Sequence, residues 1–166
     1  EAFSESRVGM RAEGRRVLPE TGWTLNAHGF SRQETDESGP RPWYVQHQVA
    51  VYRNGIVEWA RRYPSKGEFV IPAHTFAKDV HDALRYAASV FSTVGYFGRL
   101  ATFVRIENAE QAILELPTGI EAPVRHPEVE WLGNFREVST DELLVDPTPV
   151  VREAMDMLSR GFGVAR

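Results

Sequence analysis

Residues 43–63, WYVQHQVAVYRNGIVEWARRY, decide the fold. Asn54-Gly55 sits between two apolar-rich runs, and Asn-Gly in that setting is the strongest short-range signal for a β-hairpin. A two-residue loop pairs Arg53 with Ile56, which sets Val49 against Ala60 and Val51 against Glu58, so both faces come out mixed. A three-residue loop, Arg53-Asn54-Gly55, pairs Tyr52 with Ile56 instead. One face then collects Trp43, Val45, Val49, Val51, Val57, Trp59 and Tyr63, interrupted only by His47 and Arg61, which fall opposite each other. The other face carries Gln46, Gln48, Glu58 and Arg62 with Tyr44, Tyr52 and Ile56. A one-residue slip would invert every side chain, so the three-residue loop is predicted, with Gly55 left-handed in a G1 bulge.

Upstream, residues 1–18 read as an arm or linker, with weak helical character broken by Gly9 and Gly14, docking by Phe3 and Val8. Trp23–Phe30 alternates as a half-buried strand, and the polar run 31–42 reads as a loop. Downstream, Glu68–Ile71 is a short extended piece. Residues 73–94 carry an apolar stripe of Phe76, Val80, Ala83, Leu84, Ala87, Val90, Phe91 and Val94, the signature of an amphipathic helix, capped by Gly95. Arg99–Glu107 alternates as a strand, and Asn108–Glu110 reads as a turn into a partner strand, Gln111–Leu116. Glu128–Val138 returns to the sheet on Val129, Trp131 and Phe135, with a bulge or bend at Gly133-Asn134. Thr148 is the expected N-cap of a last helix that buries Val151, Ala154, Met155 and Leu158 and ends at Gly161. The expected fold is α+β: a mainly antiparallel sheet of about five to six strands, with one long helix and a C-terminal helix packed on it. Residues 19–166 are expected to form a single domain.

Composition narrows the function classes. A chain of 166 residues, 42% hydrophobic and 25% charged, is ordinary for a soluble globular protein. No apolar run approaches the roughly 20 residues of a membrane span, and there is no signal-peptide pattern. The absence of cysteine excludes disulfides and thiolate metal sites and fits the cytoplasm. A net charge of −4 argues against a surface that is basic overall. The chain opens at Glu1 rather than Met, which reads as a fragment or processed product.

Several segments together resemble the region downstream of the Schlafen-like, AlbA-type DNA-binding domain in bacterial proteins. The stretch Y-R-N-G-I-V-E (Tyr52–Glu58) resembles that family's aromatic-Arg-Asn-Gly hairpin. The arm R-x3-R-x3-R-R-V-L-P, the strand ending A-H-G-F, the helix running into G-Y-F-G (Gly95–Gly98) and the segment Asp141–Gly163 follow in the same order. The family tends to have Tyr-Val-Gln before the turn, where this chain has Gln48-Val49-Ala50. The resemblance implies a non-catalytic accessory region, oligomerising or regulatory, whose partner is an upstream domain or a second copy. DNA binding would then lie upstream, and no functional residue carries over.

Candidate chemistry is sparse. His74 and His81 are seven apart on one helix, too far for one metal ion without a third element. His28, His47 and Arg61 could meet on neighbouring strands, and a carboxylate beside His47 would make an acid/base candidate. Glu58, however, falls on the opposite face. Gly95–Gly98 matches the G-x-x-G of KH-type RNA-binding loops, but a helix cap and turn explain it better. Arg61-Arg62-Tyr63 with Lys66, and Arg7, Arg11, Arg15 and Arg16, are basic clusters whose default is a solvated face. The expected partner or ligand surface is Tyr44, Tyr52 and Ile56, on a polar face too aromatic for open water, together with His47 and Arg61 at the rim of the other face. No cofactor or metal is expected. The alternatives are a small-molecule sensor with an aromatic pocket and, last, an enzyme with a His/Arg site.

Overall fold

The computed structural model describes residues 11–12, 15–16, 24–26, 29–35, 45–52, 55–61, 63, 69–107, 109–116, 125 and 130–164. Among these residues the protein is α+β, with three helices and mainly antiparallel strands. It divides into two compact units, Glu1–Arg62 and Tyr63–Arg166, a boundary that falls inside the stretch 19–166. In place of one sheet of five to six strands, the described strands form a four-stranded sheet and four two-stranded ladders.

The first unit opens with a small antiparallel ladder of β1 (Arg11–Ala12) and β2 (Arg15–Arg16), where weak helical character was expected. The docking residues Phe3 and Val8 lie outside the described residues. The antiparallel sheet follows, in the order β3 (Thr24–Asn26), β4 (Gly29–Thr35), β5 (Val45–Tyr52), β6 (Val57–Arg61). The hairpin β5–β6 has the predicted register, with His47 opposite Arg61, Val49 opposite Trp59 and Val51 opposite Val57.

β4 corrects the sequence reading. The chain turns between Asn26 and Gly29 instead of running straight from Trp23 to Phe30, and Ser31–Thr35 continue as strand rather than loop. Gly29 explains this. Its φ is +153°, and a Cβ there would lie 2.0 Å from the Val51 carbonyl oxygen. Glycine alone lets the two backbones approach so closely. The polar run SRQET is therefore strand because its backbone is paired, not because it alternates.

In the second unit β7 (Val70–Pro72) runs straight into α1 (Ala73–Thr93). Phe76, Val80, Leu84 and Ala88, four apart, enter the core. Three members of the predicted stripe, Ala83, Ala87 and Phe91, are only half-buried, and Val94 is exposed. Val90 of the stripe is buried as expected, and Asp79 and Tyr86, outside the predicted stripe, are buried beside it. The C-terminus closes as predicted on Gly95, at φ +76°: its N–H donates to Ser92 O (3.0 Å) and the Tyr96 N–H donates to Phe91 O (2.9 Å). Those two bonds make a Schellman motif, and the Phe91 and Tyr96 rings, 5.6 Å apart, supply its apolar contact.

Beyond the helix, β8 (Arg99–Leu100) and β9 (Phe103–Glu107) form one edge of a ribbon. Their partners are β12 (Val138–Ser139) and β11 (Glu130–Asn134). Two residues, Ala101 and Thr102, face three, Phe135 to Glu137, so the bulge lies there and not at Gly133-Asn134. The sequence pairs Arg99–Glu107 with Gln111–Leu116. Instead β10 (Ile113–Glu115) crosses to β7 in parallel. Gln111 turns the chain at φ +60°, and Ile113 and Leu114 are both buried, which a strand covered on both faces requires.

α2 (Thr140–Val145), unanticipated by the sequence reading, starts in a capping box: Ser139 Oγ accepts from the Glu142 N–H, and the Glu142 carboxylate accepts from the Ser139 N–H. Arg85 of α1 donates to Leu144 O at 2.6 Å, satisfying a carbonyl at its C-terminus. α3 (Thr148–Gly161) begins with Thr148 as first helical residue rather than N-cap; Asp146 Oδ1 accepts its N–H at 2.9 Å. Its core row is Val150, Ala154 and Leu158, with Val151 and Met155 only partly buried. The helix ends at Gly161, as expected, and Gly163 takes the left-handed position after it. Gly161 lies against Trp131, which meets Phe76 edge-on at 6.3 Å.

Candidate functional site

The hairpin tip is built by backbone geometry. The Tyr52 N–H donates to Ile56 O (2.8 Å), the Gly55 N–H donates to Tyr52 O (3.1 Å), and Gly55 sits at φ +83°, as the G1 bulge requires. On the face predicted to be core, Val49 and Val51 are buried and Val57 and Trp59 half-buried. The other face is closed at its centre, where Ala50 is 2% exposed. Tyr52 is half-buried and its hydroxyl donates to Glu58 Oε2 at 2.6 Å. That bond, then burial and the carboxylate's charge, holds the phenol above its ordinary value. Ile56, by contrast, is 51% exposed. Tyr44 lies outside the described residues, as do His28, Arg62 and Lys66.

The backbone register places His47 opposite Arg61, and Arg61 is exposed. It also places Glu34 opposite His47 on the other side, giving the cross-strand row Glu34, His47, Arg61. The pairing of β4 and β5 breaks just beyond Glu34, at a bulge. Glu58 stands opposite Ala50, on the face away from His47. The carboxylate-bearing neighbour of His47 was hidden in a segment that reads as loop.

Elsewhere the named residues separate. His74 is exposed, with Nε2 3.1 Å from Oγ1 of its neighbour Thr75. His81 Nδ1 lies 3.2 Å from Asp82 Oδ1, and Lys78 pairs with the same carboxylate. Among the described residues no three His, Cys, Asp or Glu side chains converge on a possible metal position. In Gly95–Gly98, the Tyr96 hydroxyl donates to Arg99 O (2.9 Å), while Phe97 is exposed. Trp131 is core, whereas Trp23 and Trp43 lie outside the described residues.

Two features escaped the sequence reading. Asp79 is buried on α1 and accepts a hydrogen bond from the Tyr63 hydroxyl at 3.0 Å. On the outer face of the β9–β11 ribbon, Phe103 is 67% and Leu132 is 63% exposed. They are diagonal neighbours, since Leu132 stands opposite Arg105 and Asn134 opposite Phe103. The signal was parity: Leu100, Val104 and Ile106 share one face of the strand, which leaves Phe103 with Arg99, Arg105 and Glu107 on the other. Among the described residues no helix is long and apolar enough to cross a membrane. Compared with known proteins, the chain matches no family model, and no curated protein or solved structure matches it significantly.

Proposed function

We propose that this chain is a non-catalytic accessory region, oligomerising or regulatory, of a cytoplasmic bacterial protein whose DNA binding resides in an upstream Schlafen-like, AlbA-type domain. The observation that carries the docking role is the adjacent exposed pair Phe103 and Leu132 on a strand face, an apolar surface that no enclosed ligand site would require. Ile56, with Tyr52 beside it at the hairpin tip, is a second contact toward the upstream domain. The acidic balance of the chain, net −4, supports placing DNA contact elsewhere. The test is a titration of the chain alone against a labelled DNA duplex at near-physiological salt. The expected result is no binding up to about 100 µM, the weak end of non-specific affinity. Micromolar binding overturns the reading.

A second reading, an enzyme with His47 as its acid/base group, is favoured by the row that sets Glu34 and Arg61 on either side of His47. A carboxylate neighbour raises an imidazole's pKa and a guanidinium lowers it. An NMR titration of His47 that is unchanged by Glu34→Gln and by Arg61→Ala would remove it.

A further inference from the structure

We infer that the outer face of the β8–β9/β11–β12 ribbon is a self-association surface whose occupant is a second copy of this chain. The inference rests on the accessory-region reading and names its partner. Phe103 and Leu132 form the apolar centre of the face. The ends of the strip carry charges of both signs. At one end Arg99 Nε lies 3.3 Å from Glu137 Oε2; at the other Arg105 Nη2 lies 3.2 Å from Glu107 Oε1. Glu130, opposite Glu107 in the register, joins the second end, so two arginines and three glutamates sum to −1 and the strip offers no attraction to a polyanion or an anionic lipid surface. It is instead its own complement. A twofold that lays one ribbon antiparallel on another stacks Phe103 and Leu132 against their copies. It also sets the Arg99–Glu137 end of one molecule over the Arg105–Glu107 end of the next, cation facing anion.

The size of the strip sets the strength. Nine residues at about 3.3 Å each, on two strands, give a face about 30 Å long and 10 Å wide, roughly 300 Å² per copy. A stable interface takes about 800 Å² per partner, so the dimer is weak and concentration-dependent. Sedimentation equilibrium of the chain from about 20 µM to 1 mM reads it directly, over the range of weak affinities. The expected result is a mass that rises from the 18.8 kDa monomer toward twice that value. Phe103→Glu and Leu132→Glu should each hold the mass at the monomer, with unchanged circular dichroism because both side chains are exposed. Arg105→Glu should weaken association at least several-fold by setting like charges together. A wild type that stays monomeric at 1 mM, or a Phe103→Glu variant that dimerises as well as wild type, overturns the inference. Ile56→Glu is the control. If it alone abolishes the dimer, the hairpin and not the ribbon is the interface, and the accessory reading survives without this face.

Discussion

Replacing Gly29 by alanine tests the close approach that makes β4 a strand. The added Cβ would meet Val51 O at 2.0 Å and Tyr52 Cα at 2.9 Å, both backbone atoms that no rotamer change can move. Relief to an ordinary contact of at least 3.4 Å requires the two atoms to separate by about 1.4 Å, which opens the ladder where Gly29 pairs with Tyr52 and Phe30 with Val51. Each ladder bond contributes about 0.5–1.5 kcal/mol net, and a buried group left unpaired costs about 1–3 kcal/mol. Positive-φ strain adds about 1–2 kcal/mol, partly offset by the smaller entropy of the unfolded alanine chain. Gly55→Ala isolates that last component, because φ is +83° there and nothing lies within 4 Å of the added atom. Gly29→Ala should therefore destabilise the sheet by about 2–3 kcal/mol more than Gly55→Ala, roughly 30- to 150-fold in the opening equilibrium. Amide hydrogen exchange of Ala50, Val51 and Tyr52 measures this without assuming that the whole chain unfolds as one. Equal costs for the two variants, or a Gly29→Ala cost under about 0.5 kcal/mol, would refute the steric account.

Tyr63→Phe removes the phenol that donates to the buried Asp79 carboxylate and should cost about 1.5–3 kcal/mol in urea titration. Ser139→Ala should cost about 1 kcal/mol by uncapping α2. The Ser139 backbone N–H and hydroxyl hold Glu142 below its ordinary 4.5, and Thr148 holds Asp146 below 3.8. Because the folded values are the lower ones, this stabilisation is complete above about pH 4.5 and is lost as pH falls through the folded values. Glu142→Gln should flatten that acid limb in thermal melts taken from pH 6 to pH 3. Gly133→Ala places a Cβ 2.5 Å from Trp131 Cη2 and should cost about 1–3 kcal/mol by overpacking, with a shifted Trp131 indole resonance as the structural signature.

Much of the fold was legible wherever a local pattern decides between two discrete outcomes. The hairpin register followed from requiring one apolar face, and the end of α1 followed from Gly95. Strand pairing was not legible where the partner is remote. Val70-Ile71 and Ile113-Leu114 each place apolar residues side by side instead of alternating them, which marks strands covered on both faces. Nothing local says that they pair with each other. Other signals were present but overlooked. Ser139 and Glu142 spell a capping box for a helix of only six residues. Phe135 and Val138, both buried and three apart in a structure of period two, locate the bulge more reliably than the turn-forming pair Gly133-Asn134 does.

The candidate surfaces were less legible than the core, for a physical reason. Burial is cooperative, so a core position announces itself through its neighbours, whereas an exposed apolar residue is recognised only once the buried parity of its own strand is known. Tyr52 and Ile56 were both assigned to a partner surface because they share a face, and the fold keeps them side by side with different exposure: Tyr52 is half-buried and donates to Glu58, whereas Ile56 is 51% exposed. Phe103 was passed over because it sits among Arg99, Arg105 and Glu107, the company that normally marks a solvated face. Of that company, Arg105 pairs with Glu107 along the strand and Arg99 pairs across the ribbon with Glu137. The row Glu34, His47, Arg61 was illegible for a third reason: its carboxylate belongs to β4, whose strand character depends on one glycine reaching the backbone of Val51. Opening that contact with Gly29→Ala should therefore also release His47 from its cross-strand neighbours. Faster amide hydrogen exchange at His47 in the variant registers that release.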